Sequence, residues 1–347
     1  MDYKEHLIYQ GISVHDILKK LNDLGRIAVL FLVDSKDVLL GSITDGDIRR
    51  GFIKGLSFSS DIMEFIQLNT YKLRSNELTP ENFNLLKKKL ISIIPLVDTD
   101  GKVIGVINID EYKCLLPLHA VVMAGGEGVR LRPLTLATPK PLLMIGSKPI
   151  IEHNIDRLGN FGILDITISL RYLGKQIENY LGNGSSKNLN IGYVWENEPL
   201  GTLGALALVE KYNHNDILIM NSDLLTNIDF HDFYAEFIRQ GADMSVATVP
   251  YRVNIPYGVI ETEENQITSI QEKPTYTYYS NAGIYLIKKQ FLDLIVRGDR
   301  MDATDLIEML VGKGLKIVNY PILSYWLDIG RYEDFQKAQE DIKHIKL

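Results

Sequence analysis

The sequence predicts an α/β fold: an open, mostly parallel sheet with flanking helices, preceded by a smaller α+β module. Three observations predict it. From His119 onward, short apolar strands alternate with helical segments. A glycine-rich turn, Gly125-Gly126-Glu127-Gly128, follows the first of those strands, where open α/β sheets take their ligands. The first third of the chain carries an internal repeat of strand, turn and strand.

In the repeat, Ile27–Ile43 (IAVLFLVDSKDVLLGSI) matches Ser92–Ile107 (SIIPLVDTDGKVIGVI). Val33 pairs with Val97, Asp34 with Asp98 and Gly41 with Gly105, each 64 residues apart. Each copy reads strand, Asp-led turn, strand, then a helix start at TDGDIRR or NIDEYKC. A helical segment precedes each: Val14–Leu24, with Val14, Ile17, Leu18 and Leu21 on one face, and Pro80–Leu90. Two long copies are too few for a solenoid. They define a module over residues 1–116, closed by the junction Leu115-Leu116-Pro117-Leu118.

A second domain is expected over residues 118–347. AVVMAG, DITISL, IGYVWE, DILIMNSD and DMSVATVP read as strands; Pro149–Asn160 and Leu203–Glu210 read as helices. After about Tyr251 the pattern turns to hairpins and ends in a helix from Tyr332. No hexapeptide repeat occurs at the C-terminus, so no appended β-helix is expected.

Composition narrows the function. The 347 residues are 46% hydrophobic and 23% charged, long enough for two globular domains. A net charge of −7 argues against a broad basic face for nucleic acid or an anionic membrane. A single cysteine, Cys114, allows no intrachain disulfide and no Cys-based zinc site. The opening MDYKEHLIYQ has no apolar signal core, and no apolar run reaches the length of a membrane span. The expected location is the cytoplasm.

The run Val121–Leu143, VVMAGGEGVRLRPLTLATPKPLL, carries the chemistry. A glycine turn after a buried strand lets backbone N–H groups approach a polyphosphate with no Cβ in the way. Arg130, Arg132 and Lys140 add positive charge beside it. The run lacks the GKS or GKT ending of a Walker loop, and its glycines do not fit GxGxxG. A glycine turn alone often only reverses the chain; RLRPLT followed by TPKPLL says more. The run resembles the signature of the sugar-1-phosphate nucleotidyltransferases, G-G-x-G-T-R-L-R-P-L-T with a downstream P-K-P-L. Val129 stands where the family usually has Thr, which removes one hydroxyl contact to phosphate and leaves the backbone cradle.

The resemblance implies a Rossmann-like catalytic domain in which a sugar-1-phosphate oxygen attacks the α-phosphate of a nucleoside triphosphate and pyrophosphate leaves. Such chemistry rests on positioning and charge neutralisation. It implies Mg²⁺ as cofactor, held by Asp223 at the end of ILIMNSD and Asp328 in WLDIGRYEDF, similar to the family's W-x-D-x-G-T-P-E-D. The plainer readings are a turn-capping Asp and a helix N-terminal acid. Ala124, Gly125, Gly126 and Gly128 would touch the nucleotide, and Arg130, Lys140 and Lys273 would act in catalysis. Lys273 lies in QEKPT, between YGVIE and NAGIY, in the family's order. Gly258, Glu272 and Asn281 would then contact the sugar. By itself E-K-P reads as a solvated charge pair before a proline turn.

GTLGAL, Gly201–Leu206, resembles the family's base-contacting G-T-A-G-A-L, so Gly201 and Thr202 join the nucleotide site. Upstream, Glu196 stands where thymidylyl and uridylyl relatives carry Gln. A carboxylate only accepts hydrogen bonds, and it matches N1–H and N2–H₂ of guanine. GTP is therefore the favoured donor, with Glu198 equally placed for the role and an exposed loop glutamate the plainer reading.

The repeat module resembles a tandem pair of CBS domains, a Bateman module. Thr44 and Asp47 match the residues that bind the ribose of an adenine nucleotide in such domains; Asn108 and Glu111 replace them in the second copy. An adenine or guanine nucleotide effector is one reading; helix capping by Thr44 and Asp47 is the other. Self-association as a homodimer or tetramer is expected from such a pair. CBS pair plus nucleotidyltransferase looks like the bacterial guanylyltransferases of legionaminic acid biosynthesis, which points to α-D-glucosamine 1-phosphate as acceptor. The alternatives are a mannose- or heptose-1-phosphate guanylyltransferase, a UTP-, dTTP- or CTP-using relative including a phosphocholine cytidylyltransferase, and an inactive nucleotide-sensing subunit.

Overall fold

The computed structural model describes residues 3–74 and 77–345, which divide into two compact units, Met1–Leu115 and Leu116–Leu347. In the first unit, β1 (Leu7–Tyr9), α1 (Val14–Leu24), β2 (Val29–Val33), β3 (Leu39–Thr44) and α2 (Asp45–Ile53) form one copy of the repeat; α3 (Pro80–Lys88), β4 (Ile93–Val97) and β5 (Val103–Asn108) form the other. Helix α1 starts where the Ser13 hydroxyl accepts from Asp16 N at 3.1 Å and ends at Gly25 with φ 59°. Val14, Ile17 and Leu21 are buried, as the periodicity predicts, against Leu30, Leu32 and Ile43.

The repeat is physical as well as textual. Asp34 Oδ1 accepts from Lys36 N and Val38 N at 2.8 and 2.9 Å; Asp98 Oδ1 accepts from Asp100 N and Lys102 N, both at 2.9 Å. The repeated aspartate is thus the residue that closes each turn. Both hairpins carry a register shift at the equivalent place, Leu32/Val33 and Leu96/Val97. The turns also pair with each other, Leu39 N to Gly101 O at 3.0 Å and Val103 N to Asp37 O at 2.9 Å. The copies differ after the hairpin: α2 follows β3, but only a 3-10 turn, Ile109–Glu111, follows β5.

The second unit contains β6 (Leu118–Ala124), β7 (Met144–Ile145), β8 (Lys148–Pro149), α4 (Ile150–Asn160), β9 (Asp165–Leu170), α5 (Gly174–Leu181), β10 (Asn190–Trp195), β11 (Asp216–Asn221), β12 (Leu224–Thr226) and α6 (Phe230–Gln240). β13 (Met244–Asn254), β14 (Val259–Glu263), β15 (Gln266–Gln271), β16 (Thr275–Lys288), α7 (Ala303–Gly312), β17 (Ile317–Pro321), β18 (Trp326–Asp328) and α8 (Tyr332–Asp341) complete it. A seven-stranded sheet runs β10-β9-β6-β11-β16-β13-β17. Its pairings are parallel except those of β16 with β11 and with β13, so the sheet is mostly parallel. β6 is a near-continuous apolar run because both its faces are covered.

Two expectations for this second unit change. Leu203–Glu210 is not an α-helix; a 3-10 turn spans Gly204–Leu208. Its leading backbone is tied elsewhere, Leu203 N to Met301 O at 2.8 Å and Met301 N to Leu200 O at 2.9 Å, so helical pairing is pre-empted. The strand in DILIMNSD stops at Asn221, and Ser222-Asp223 turns the chain into β12. The outer halves of β13 and β16, with the β14–β15 hairpin between them, form an exposed ribbon.

Candidate functional site

The site forms at the carboxyl ends of the parallel strands, where β6 gives way to the glycine turn. A cleft of about 370 Å³ opens there, lined by Gly125, Gly126, Lys140, Arg171, Glu196, Gly201, Thr202, Asp223 and Asp302 among others. Gly126 has open space where a Cβ would stand. Gly125 does not: a Cβ would lie 2.7 Å from Glu196 Oε1. Gly128 has φ 61° and caps the 3-10 turn Val129–Leu131; a Cβ would meet Thr135 Cγ2 at 3.0 Å and Lys140 Cβ at 3.1 Å. Only glycine fits that conformation and that spacing without strain. Ala124 is the buried last residue of β6.

Asp223 and Asp328, 105 residues apart in sequence, are brought together by one short antiparallel pairing. β12 pairs with β18 so that Leu224 stands opposite Asp328, and Ile329 N donates to Asp223 O at 3.1 Å. Lys140 reaches between the acids: Nζ donates to Asp223 Oδ2 and lies 3.9 Å from Asp328 Oδ1. Its side chain is 11% exposed. Burial, then the nearby Asp223 carboxylate, push the Asp328 carboxyl above its ordinary value, against the pull of Lys140 and Arg130. Arg130 and Asp328 both flank Gly330, whose Cβ would be 3.7 Å from each.

The carboxylates fit a divalent cation. Asp223 Oδ1 and Asp328 Oδ1 are buried and have no hydrogen-bond partner. A buried orphan oxygen on each of two adjacent carboxylates is costly unless a cation completes it. Among the described residues no group of three or more His, Cys, Asp or Glu gathers around a common point. A two-carboxylate site that leaves its remaining positions to phosphate and water suits Mg²⁺.

Glu196 and Glu198 are no longer equivalent. Glu198 is exposed, whereas Glu196 is 9% exposed and lines the cleft. Its Oε1 accepts from the Ser169 hydroxyl and its Oε2 from Leu200 N at 3.1 Å. Gly201 and Thr202 sit against Asp302, whose Oδ1 accepts from Thr202 N at 3.1 Å. Asp302 also caps α7. Neither Asp302 nor Arg171 stood out in the sequence. Arg171 directly follows the strand DITISL, and that position at a parallel strand's carboxyl end was the available signal.

Lys273, Glu272 and Gly258 do not line this cleft. They lie together at the root of the β14–β15 hairpin, with Glu272 Oε2 3.1 Å from where a Gly258 Cβ would be, and all three are exposed. Asn281, on β16, donates to the Tyr285 hydroxyl at 2.8 Å and accepts from Gly283 N at 2.9 Å.

In the N-terminal unit, Thr44 and Asp47 form a capping box at the start of α2. The Asp47 carboxylate accepts from Thr44 N, the Thr44 hydroxyl, Arg50 and Gln67 at 2.9, 2.6, 2.6 and 3.0 Å. Burial raises its pKa, and the hydrogen bonds from Thr44, Arg50 and Gln67 outweigh burial and leave it below the ordinary carboxylate value. Both residues nevertheless line a cavity of about 710 Å³ with Arg26, Arg50 and Tyr71. In the second copy Asn108 Nδ2 donates to Glu111 at 3.2 Å.

A glycine cradle after a central parallel strand, beside two facing carboxylates and a buried lysine, is the equipment of an α/β protein that handles polyphosphates. The nucleotidyl transferase family model matches residues 119–345, and the chain belongs to that family. The CBS domain model matches residues 1–54. The chain is 34% identical over 233 residues to a mannose-1-phosphate guanylyltransferase of Mycobacterium tuberculosis, covering 65% of this chain and 64% of that one. It is 28% identical over 255 residues to a UTP–glucose-1-phosphate uridylyltransferase of Synechocystis, with 66% of each chain covered. The chain thus spans a little under two thirds of the length of the mannose-1-phosphate guanylyltransferase relatives it matches. Among solved structures, a Bacillus anthracis protein described as a putative glucose-1-phosphate thymidylyltransferase matches with TM-score 0.55 and 25% identity, over 66% of this chain and 97% of that one. HddC from Yersinia pseudotuberculosis complexed with GMP-PN matches with TM-score 0.50 and 25% identity, over 65% of this chain and 99% of that one. Among the described residues no helix is long and apolar enough to cross a membrane.

Proposed function

We propose that this protein transfers a nucleotidyl group from GTP to a sugar 1-phosphate, releasing pyrophosphate. The observation that carries the reading is Lys140 held between Asp223 and Asp328 beside an open glycine cradle, with one buried orphan oxygen on each acid. The sugar-phosphate oxygen attacks the α-phosphorus as the bond to the pyrophosphate oxygen breaks. Gly125, Gly126 and Gly128, with Ala124, let backbone N–H groups approach the phosphates. Arg130 and Lys140 supply fixed positive charge as negative charge shifts toward the leaving group. Asp223 and Asp328 would hold Mg²⁺, which when bound neutralises phosphate charge. Lys273 and Glu272, with Gly258 and Asn281, would hold the sugar phosphate; Lys273, Glu272 and Gly258 stand outside the cleft, at the exposed root of the β14–β15 hairpin.

Glu196 supports guanine, because its fixed carboxylate only accepts hydrogen bonds. The joining of a CBS module to this domain supports α-D-glucosamine 1-phosphate as acceptor, in the manner of legionaminic acid guanylyltransferases. A second reading, mannose 1-phosphate, is favoured by relatives that bear that substrate in their names. An adenine or guanine nucleotide in the cavity beside Thr44 and Asp47 would act as effector, in a cytoplasmic homodimer or tetramer. The test is pyrophosphate release with Mg²⁺ across GTP, ATP, UTP, CTP and dTTP against glucosamine, N-acetylglucosamine, mannose and glucose 1-phosphates and phosphocholine. A dominant signal at GTP with glucosamine 1-phosphate is expected. Dominance of UTP, dTTP or CTP would sink the guanine assignment, and mannose 1-phosphate would replace glucosamine as acceptor if it gave the stronger signal.

A further inference from the structure

Arg171 is a cation in the cleft that the glycine-loop motif does not contain. It follows β9 directly, and its side chain is 23% exposed. It flanks the same glycine as Glu196: a Cβ on Gly125 would lie 2.7 Å from Glu196 Oε1 and 3.4 Å from Arg171 Cβ. The sheet order β10-β9-β6-β11 decides which end of a nucleotide these two meet. Glu196 follows β10 and Arg171 follows β9, on one side of the glycine loop; Asp223 follows β11, on the other. With neighbouring strands about 4.8 Å apart, a nucleotide laid across the strand ends with its phosphates at β6 and β11 has its base over β9 and β10.

We infer that Arg171 reads the O6/N7 edge of guanine while Glu196 reads N1–H and N2–H₂. This rests on the guanine reading given above. The chemistry is complementary. Guanine presents two acceptors, O6 and N7, which a guanidinium matches with a two-pronged donor edge, and two donors, which a carboxylate matches. Ser169 and Leu200 each engage one Glu196 oxygen, which fixes the carboxylate plane and leaves further lone pairs on both oxygens. Arg171 is held more loosely. Its two terminal nitrogens each donate to Glu127 Oε1 at 3.4 Å, a long contact with a carboxylate that is 39% exposed. Its five donors exceed what Glu127 uses, so a base edge can share or replace that contact. Adenine, with an N6 donor where guanine has O6, and either pyrimidine, with no N7, would leave the pair mismatched.

The experiment is nucleotide binding by calorimetry to the full chain with Mg²⁺, using GTP, 7-deaza-GTP, ITP and UTP. 7-Deaza-GTP lacks the N7 acceptor; ITP lacks the N2 amino group. Wild type is expected to bind GTP roughly tenfold or more tightly than 7-deaza-GTP. Arg171→Met should bring that ratio to within about twofold while keeping the preference for GTP over ITP; Glu196→Gln should do the reverse. Arg171→Lys, which keeps the charge but not the fork, should behave like Arg171→Met, and it covers the case in which the methionine variant folds poorly. If the GTP to 7-deaza-GTP ratio survives in both Arg171 variants, Arg171 does not read the base. Equal loss of GTP and UTP affinity would make it a phosphate contact and overturn the inference, with the guanine reading intact. Tighter binding of UTP than GTP by wild type would remove the guanine reading itself.

Discussion

Gly126 and Gly128 sit two residues apart in one loop, and the structure predicts opposite consequences for the same added methyl group. At Gly126 a Cβ meets open space and the backbone is not left-handed. Gly126→Ala should therefore change stability by no more than about 0.5 kcal/mol. The methyl would instead stand in the cradle, where the proposed reaction needs a phosphate against the backbone. A displacement of order 1 Å there should lower kcat/KM for the nucleotide roughly a hundredfold. At Gly128 the φ of 61° costs an alanine about 1–2 kcal/mol. Its Cβ at 3.0 Å from Thr135 and 3.1 Å from Lys140 adds a shift of a few tenths of an ångström in both. Gly128→Ala should lose about 1–3 kcal/mol and also activity, because Lys140 must move. Urea unfolding and steady-state kinetics on both variants separate the two effects. A Gly126→Ala protein that is destabilised by more than 1 kcal/mol, or that keeps wild-type kcat/KM, would refute the reasoning.

Asp223→Asn and Asp328→Asn should each abolish Mg²⁺-dependent turnover with the far-UV spectrum unchanged; near wild-type rates in either would remove the metal assignment. His119 is buried, donates to or accepts from Thr167 at 2.8 Å, and burial lowers its pKa to about 4. Protons therefore bind the unfolded chain first, so the stability it contributes is present above about pH 6.5 and lost toward pH 4, by roughly 1.4 kcal/mol per pH unit. His119→Gln should flatten that limb in denaturant titrations at pH 4 to 7, and an unchanged slope would assign the acid sensitivity elsewhere. Asp47→Ala leaves Thr44, Arg50 and Gln67 without their acceptor and should cost about 1–2 kcal/mol. If the variant retains both nucleotide affinity in the N-terminal unit and any effector response, Thr44 and Asp47 are a helix cap alone.

Local chemistry determined much of this protein. The periodicity of Val14–Leu24 buried the face it specified, because amphipathic spacing acts within one helix. The 64-residue repeat reappears as two hairpins with matching aspartate-closed turns, since a carboxylate two to four residues from the N–H groups it accepts needs no distant partner. β6 and its glycine loop were legible for the same reason. Leu203–Glu210 reads as a helix in the sequence and is not one, because the backbone partner of Leu203, Met301, lies about a hundred residues downstream. The meeting of Asp223 with Asp328 depends on β12 pairing with β18, and the choice between Glu196 and Glu198 depends on Ser169 and Gly125. Arg171 and Asp302 join the cleft only because strand order and the cap of α7 carry them there. Turn chemistry, helix faces and the phosphate loop are written in neighbouring residues; charge pairing and cleft lining are set by contacts between segments far apart in the chain, and those exist only once the sheet has ordered its strands.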